Sequence, residues 1–189
     1  MKNLGVDYLD LYLIHHPFND YYGAWRALED LYKEGQIRAI GVSNFFDDRY
    51  FDLVTHNSVV PAINQLETHP FNQNIDTQRL LEKYGTKLQA WSPLGHGDES
   101  ILSNDALTHI AASHGKTVPQ VFLRWLIQRG VTVVTKTTHT ERLYENTDIF
   151  SFELSEEEMT MIASLDKKQA SAGFDHRDPK MLELLLTLD

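Results

Sequence analysis

Hydrophobic residues along this chain follow two alternating patterns. Short runs rich in β-branched and aromatic residues are typical of buried strands, whereas apolar residues that recur every three or four positions are typical of helices. The predicted strands are residues 7–17, 37–43, 62–66, 87–92 and 131–136. The predicted helices are residues 22–34, 47–56, 76–84, 105–114, 118–129, 140–146 and 156–165.

Capping signals support several of these helices. Glycines follow four of them, at positions 35, 85, 115 and 130, where a residue with positive φ commonly ends a helix. Thr117 with Gln120 and Ser155 with Glu158 each have the spacing of a capping box, and Pro119 lies in the first turn, where its missing N–H costs little.

The alternation of five strands with helices indicates an α/β fold with a parallel sheet. Such a sheet is either doubly wound or part of a (β/α)₈ barrel, the TIM barrel. No Gly-x-Gly-x-x-Gly follows any strand, which weakens the doubly wound alternative. Polar residues end every strand, as they do at the carboxyl rim of a barrel, where the active site lies. We therefore predict an incomplete barrel with about five parallel strands.

Composition excludes several classes of protein. With 189 residues, 42% of them apolar, the chain is expected to form a single domain over residues 1–189. The net charge of −10 argues against nucleic-acid or anionic-membrane partners. There is no cysteine, no apolar run of transmembrane length and no signal peptide, so we expect a cytoplasmic protein.

The strand over residues 7–17 carries the leading candidate for chemistry. It ends in His15 and His16, followed by Pro17. Because neighbouring strand side chains point to opposite faces, we expect only one histidine to face a site, and we choose His15. The alternative is an ordinary polar residue at a strand end. The other histidines have no metal-ligand spacing on one element, so no metal site is predicted.

Two other groups have alternative explanations at this stage. Ser43 and Asn44 could form a helix cap. Lys136 and Arg142 could be ordinary solvated charges, although two cations at a strand-to-helix junction of an acidic chain also suit an anion.

Five segments together resemble the aldo-keto reductase family. They are Leu11-Tyr-Leu-Ile-His-His-Pro17, Gly41-Val-Ser-Asn-Phe45, Asn64-Gln-Leu-Glu67, Trp91-Ser-Pro-Leu-Gly95, and Lys136-Thr-Thr-His-Thr-Glu-Arg142 continuing through Glu145-Asn146. Each is weak alone, but their order and spacing are specific as a set. Residues 174–179 and the loop after His15 resemble bacterial members in particular. The resemblance implies a (β/α)₈ barrel that binds NADP(H) across its rim and reduces a small-molecule carbonyl.

The resemblance also assigns roles to residues. His15 would hydrogen-bond the substrate carbonyl, and Trp91 would stack on the nicotinamide ring. The nicotinamide carboxamide would be held by Ser43, Asn44 and Gln65. The pyrophosphate would be lined by Ser92, Pro93, Leu94 and Gly95. The adenosine 2′-phosphate would be surrounded by Lys136, Thr137, Thr138 and Arg142, and the adenine would contact Glu145 and Asn146.

One departure from the family qualifies the predicted activity. The family carries an aspartate, a proton-donating tyrosine and a lysine upstream of the histidine strand, but here Met1 lies just before that strand. Nothing pairs Tyr21, Tyr22 or Tyr50 with a suitable lysine. We therefore expect three βα units to be absent, activity to be low, and the two open sheet edges to be covered by self-association or by an amino-terminal segment. The alternatives are an inactive, self-associating module that binds the cofactor or is structural, and a metal-dependent hydrolase, which the histidine spacing disfavours.

Overall fold

The computed structural model describes residues 2–170, 177–185 and 187. Its five strands are β1 (Tyr12–Ile14), β2 (Ile40–Ser43), β3 (Ile63–Glu67), β4 (Lys87–Trp91) and β5 (Thr132–Val133). They form one sheet in the order β1-β2-β3-β4-β5. The predicted set of five parallel strands is therefore confirmed, and sequential strands are neighbours, as in a barrel wall.

Strand register brings the polar ends of neighbouring strands side by side. Leu13 of β1 lies opposite Gly41 of β2 in a parallel pair. Ser43, the last residue of β2, lies opposite Gln65 of β3. Because the strands run parallel, the residues that follow them meet at one edge of the sheet.

The prediction that β1 is a buried strand is wrong. Leu11 and Tyr12 remain 38% and 48% exposed, and regular pairing is confined to three residues, with an isolated bridge from Leu9 to Ile37. The physical reason is that β1 is a terminal strand of the sheet, with only β2 beside it. Its apolar composition was therefore a misleading sign of burial.

The helices agree closely with the predicted ones. They are α1 (Tyr21–Lys33), α2 (Asp47–His56), α3 (Ile75–Lys83), α4 (Glu99–Leu102), α5 (Asp105–Ser113), α6 (Val118–Gln128), α7 (Thr140–Thr147), α8 (Glu156–Ala163) and α9 (Pro179–Leu185). The short α4 and α9 were not predicted, nor were two 3₁₀ helices, Lys2–Leu4 and Gly95–Gly97. Both predicted capping boxes are present, at Thr117 and Ser155. Of the segment 174–179, residues 174–176 lie outside the described part of the chain. Among the described residues, no helix is long and apolar enough to cross a membrane.

The chain forms two compact units. The first comprises Met1–Leu66 and Ile75–Gln89, and its core contains Trp25, Tyr50 and Leu53. The Tyr50 hydroxyl lies 2.6 Å from Thr86 Oγ1, and that threonine in turn donates to the carbonyl of Pro61. The buried carboxylate of Glu29 accepts hydrogen bonds from the backbone N–H groups of residues 58 and 59. These contacts connect α1 and α2 to the loops that precede β3 and β4.

The second unit comprises Glu67–Asn74 and Ala90–Asp189, and α6 is its central helix. All residues from Gln120 to Leu126 are buried, which is the pattern of a helix surrounded by other elements. Its Arg124 is also buried, and its guanidinium donates to the Ile149 carbonyl and to the Glu153 carboxylate, 3.3 and 3.0 Å away. The buried charge is therefore paired and hydrogen-bonded.

A carboxylate between α5 and α8 should make stability depend on pH. Glu158 Oε1 and Oε2 lie 2.9 and 3.0 Å from Nε2 of His114. Burial raises the pKa of the Glu158 carboxyl, but the hydrogen bonds from His114 and the Ser155 backbone outweigh this, so the net pKa is below the ordinary value. A carboxyl whose pKa falls on folding stabilises the protein above its unfolded pKa, and this contribution is lost as pH falls through the folded pKa.

Glu158→Gln should therefore lower the free energy of unfolding by about 1 kcal/mol at pH 7, because the substitution removes a charged hydrogen bond. The difference from the unmodified chain should begin to shrink near roughly pH 4, the ordinary pKa of a glutamate, and disappear at lower pH, once the folded-state carboxyl is also protonated. Urea denaturation at a series of pH values measures this effect. Glu183→Gln, at an exposed position in α9, is the matched control. A difference that persists unchanged at acid pH would contradict the assigned role.

Candidate active site

The segment after β1 places His15 beside the end of β2. β1 ends at Ile14, so His15 and His16 lie in the loop that follows the strand. His15 is exposed and His16 is half-buried. Their rings are stacked, with centroids 4.1 Å apart and planes 28° apart. The expectation that the two side chains point to opposite faces is therefore wrong, because strand alternation applies only within the pleated strand.

Asn44 connects this loop to β2. Its backbone lies in the left-handed region, with φ of 62°, at the point where the chain leaves β2. Its side-chain Nδ2 donates to the carbonyl of His15 at 3.1 Å and lies 3.3 Å from Nδ1 of His16. It also lies 3.1 Å from Ser43 Oγ, and Asn44 is only 3% exposed. The alternative of Ser43 and Asn44 as a cap of α2 is not observed, since Phe46 is the N-cap residue.

Ser43 and Gln65 complete this first group of candidate residues. The Ser43 hydroxyl donates to the Gln65 carbonyl at 3.0 Å, and the Asn44 N–H donates to that same carbonyl, also at 3.0 Å. The Gln65 side-chain Nε2 donates to Gln89 Oε1 at 2.6 Å. His15, Ser43, Asn44 and Gln65 are thus joined by direct hydrogen bonds, His15, Ser43 and Asn44 at the carboxyl ends of β1 and β2 and Gln65 in the middle of β3. The sequence predicted all four residues but not their mutual contacts.

Three tyrosines of the first unit, Tyr21, Tyr22 and Tyr50, each have a structural role. Tyr21 packs edge-on against Phe45, with centroids 5.3 Å apart. Tyr22 donates a short hydrogen bond to Asp52, which raises the pKa of its phenol to about 12. Burial raises the pKa of Tyr50. Both shifts make these phenols weaker acids at neutral pH, so neither is prepared to donate a proton.

Trp91 and the turn after it belong to the second unit. Trp91 is half-buried, and its ring contacts His96 edge-on at 5.8 Å. Ser92 has a φ of 48°, and the Gly95 N–H donates to the Ser92 carbonyl at 2.9 Å. Pro93 has no N–H group, so it cannot donate a backbone hydrogen bond to a pyrophosphate as predicted. The N–H group of Gly95 is already used, because it donates to the Ser92 carbonyl and closes the turn.

The last group of candidate residues extends from β5 into α7. Lys136, Thr138, Arg142 and Glu145 are exposed, whereas Thr137 and Asn146 are half-buried. The His139 N–H donates to Thr137 Oγ1 at 3.1 Å, just before α7 begins. Gln120 Nε2 donates to the Glu145 carbonyl at 3.1 Å, which fixes the end of α7 on α6. Neither Lys136 nor Arg142 forms a salt bridge with any carboxylate among the residues that the structure describes.

The described residues include no group of three or more His, Asp or Glu side chains that could hold a metal ion. The sequence offered His16 as well as His15, but we set His16 aside because strand alternation would turn it to the opposite face. Pro17 was the available signal, since the residue before a proline is restricted and a strand seldom continues through it.

Comparisons with known proteins agree with the motifs. Residues 1–167 match the model of the aldo/keto reductase family. Glyoxal reductase of Bacillus subtilis is 46% identical over 170 residues, which cover 89% of this chain and 61% of that protein. The chain thus spans about six tenths of the length of the curated relatives it matches. These matches confirm the resemblance inferred from the sequence.

Solved structures support the fold. An aldo-keto reductase from a Medee basin deep-sea metagenome library, MGS-M4, superposes with a TM-score of 0.84 at 42% identity, covering 89% of this chain and 63% of that one. An aldo-keto reductase of Bombyx mori, solved in complex with NADP, gives a TM-score of 0.85 at 32% identity, covering 96% and 64%. The predicted class, an incomplete barrel of parallel strands, is confirmed.

Proposed function

Because this chain belongs to the aldo/keto reductase family, we propose that it binds NADP(H) and reduces an aldehyde or ketone to an alcohol. The observation that carries the proposal is the hydrogen-bonded group of His15, Ser43 and Asn44 at the carboxyl ends of β1 and β2, joined to Gln65 of the neighbouring strand β3. In parallel sheets this is the edge where ligands bind. The NADP-bound Bombyx mori relative supports the choice of cofactor.

The residues of the first unit suit the nicotinamide end of the cofactor. A carboxamide both donates and accepts hydrogen bonds, and Ser43, Asn44 and Gln65 supply one hydroxyl and two amides for it. Ser43 donates to the Gln65 carbonyl, Asn44 donates to Ser43, and the Gln65 side chain donates to the side chain of Gln89. Such prior ordering lowers the entropic cost of binding. In the second unit, the half-buried indole of Trp91 provides an aromatic face of the kind that stacks on a nicotinamide ring.

The segment from β5 into α7 suits a phosphate. Lys136 and Arg142 are exposed, and no carboxylate among the described residues forms a salt bridge that would compete with a phosphate for them. A guanidinium binds a phosphate through two parallel hydrogen bonds, and a lysine adds a point charge. We therefore propose that these residues hold the adenosine 2′-phosphate and give a preference for NADPH over NADH.

The bound cofactor would supply a hydride to the carbonyl carbon. His15 would donate a hydrogen bond to the carbonyl oxygen and so orient the substrate. Asn44 would hold the backbone of His15 in place through its contact with the His15 carbonyl. The alkoxide oxygen must still gain a proton, and we propose that these 189 residues supply it poorly, because Tyr21, Tyr22 and Tyr50 are engaged elsewhere. Loss of a positioned general acid lowers a rate by about a hundred- to ten-thousand-fold.

The test is an assay of the purified chain with NADPH and a panel of reactive carbonyls, followed by cofactor absorbance and by detection of the alcohol. Glyoxal is the first substrate to try, because the Bacillus subtilis relative is a glyoxal reductase. We expect slow oxidation of NADPH with equal formation of alcohol. His15→Ala should lower kcat/KM about tenfold, the value of one hydrogen bond, without changing the Kd for NADPH. Equal rates in the two chains would contradict the role of His15.

A second candidate function is that of a self-associating module that binds the cofactor without turnover. It is favoured by the exposed apolar residues along the β1 edge of the first unit, which include Tyr8, Leu11 and Tyr12. An open edge strand with apolar neighbours tends to pair with another chain. Light scattering should then show an oligomer, and Tyr12→Lys should shift it toward monomer. A stable monomer at all concentrations would contradict this alternative.

A further inference from the structure

The ring of His16 lies directly against the ring of His15. The two centroids are 4.1 Å apart, and on its other side His16 stacks with Phe18 at 5.2 Å with planes 14° apart. We call His15, His16 and Phe18 the histidine stack. His15 is at its exposed end, and His16 is half-buried in its centre. The exposed imidazole is therefore in contact with a ring that is itself held by a third ring.

A hydrogen bond fixes the central ring as well. Asn44 Nδ2 lies 3.3 Å from His16 Nδ1, and an amide nitrogen can only donate. Donation to His16 requires an unprotonated Nδ1, and the two amide hydrogens are shared among His16 Nδ1, the His15 carbonyl and Ser43 Oγ. The same Nδ2 lies 3.1 Å from the carbonyl of His15. One buried amide thus holds both the backbone of His15 and the ring of His16.

The local chain explains why the stack forms after β1. Pro17 disfavours the helical region for His16 and restricts its backbone. β1 has already ended at Ile14, so strand alternation no longer separates the two side chains. An exposed histidine in a loop would otherwise sample several rotamers. Contact with a fixed ring removes part of that freedom.

We propose that His16 is a positioning residue that fixes the orientation of the His15 imidazole. It acts through the stack and through Asn44, and it does not itself contact the substrate carbonyl. The relevance of this orientation to carbonyl reduction rests on the proposed function, whereas the orientation itself can be measured without any cofactor.

Nuclear magnetic resonance of the imidazole protons is the direct test. The His15 signals are assigned by their loss in His15→Ala. In the unmodified chain, the ring current of His16 should shift them upfield of an exposed histidine such as His56. His16→Ala should move them to the position of a free histidine, whereas His16→Phe should retain an upfield shift because it keeps an aromatic ring. His56→Ala is the matched control, since His56 is exposed and bonded within α2.

Binding and turnover measurements complete the experiment. We expect His16→Ala to lower kcat about three- to tenfold with an unchanged Kd for NADPH. His16→Phe should restore most of the rate, because it keeps an aromatic ring against His15. Measuring both quantities is informative because a general structural defect would change kcat and Kd together. His15 signals that are the same in the unmodified and His16→Ala chains would overturn the proposal. So would an equal rate loss in His16→Phe and His16→Ala. If His16→Ala moves the His15 signals as expected but the unmodified chain neither binds nor oxidises NADPH, the positioning role is supported and the proposed function is contradicted.

Discussion

The double substitution Lys136→Ala with Arg142→Ala is expected to weaken NADPH binding by a factor of about 100 or more. Each charged hydrogen bond to a phosphate contributes about 1.5–3 kcal/mol, and 1.4 kcal/mol corresponds to a factor of ten. Affinity for NADH should hardly change, because NADH lacks the 2′-phosphate that these cations are proposed to bind. Titration calorimetry with both cofactors measures the two Kd values directly.

Ionic strength and a control variant separate a local contact from a general effect of charge. The chain has a net charge of −10, so removing any cation weakens its attraction for an anion slightly. Arg26→Ala, on the exposed side of α1, removes one charge from another region and should leave the ratio of the two Kd values unchanged. If the double variant weakens NADPH and NADH equally, the assignment of the 2′-phosphate to Lys136 and Arg142 is wrong.

Trp125→Ala is expected to lower the free energy of unfolding by about 3–5 kcal/mol. Large-to-small substitutions of buried aromatic residues cost this much because they remove transfer free energy and leave a cavity. Trp125 is only 1% exposed and lies in α6, the most buried helix of the second unit. The guanidinium of Arg129 also lies 4.4 Å from the centre of its ring, so the substitution removes a cation–π contact as well.

Urea denaturation followed by circular dichroism measures this loss. Leu143→Ala is the matched control, because Leu143 is 56% exposed on α7, a helix without buried residues. It should change the free energy of unfolding by less than about 0.5 kcal/mol, as is usual for surface positions. A loss below about 1 kcal/mol for Trp125→Ala would show that α6 is not the centre of the core, since burial on this scale costs more than that.

Sequence patterns predicted most of the fold because they reflect local physical requirements. The capping boxes at Thr117 and Ser155 were correct because each depends on two side chains three residues apart. The strand predicted over residues 131–136 is confined to Thr132–Val133 in the structure. Strand length depends on pairing with a neighbour, which the sequence of one strand does not contain. The same reason explains why β1, apolar along its length, is a half-exposed terminal strand.

In the candidate site, too, the residues could be predicted from the sequence but the contacts between strands could not. His15 was identified from its place at the end of an apolar strand, whereas Ser43, Asn44 and Gln65 were identified through the resemblance to the aldo-keto reductase family. The contacts among them could not be predicted. Asn44 reaches His15 and His16 from another strand, 28 or 29 positions along the chain. That contact depends on the register of β1 against β2, which only the folded chain provides.

The conformation of Asn44 limits which residues evolution can place there. A φ of 62° is readily adopted by glycine and, among residues with side chains, most often by asparagine and aspartate. Glycine offers no side-chain hydrogen-bond donor, and an ionised aspartate would set its negative oxygens against the carbonyl of His15. The same residue must therefore satisfy a backbone requirement and a side-chain requirement, and asparagine meets both at low cost. In a library that samples all twenty amino acids at position 44, selection for reductase activity should recover asparagine most often.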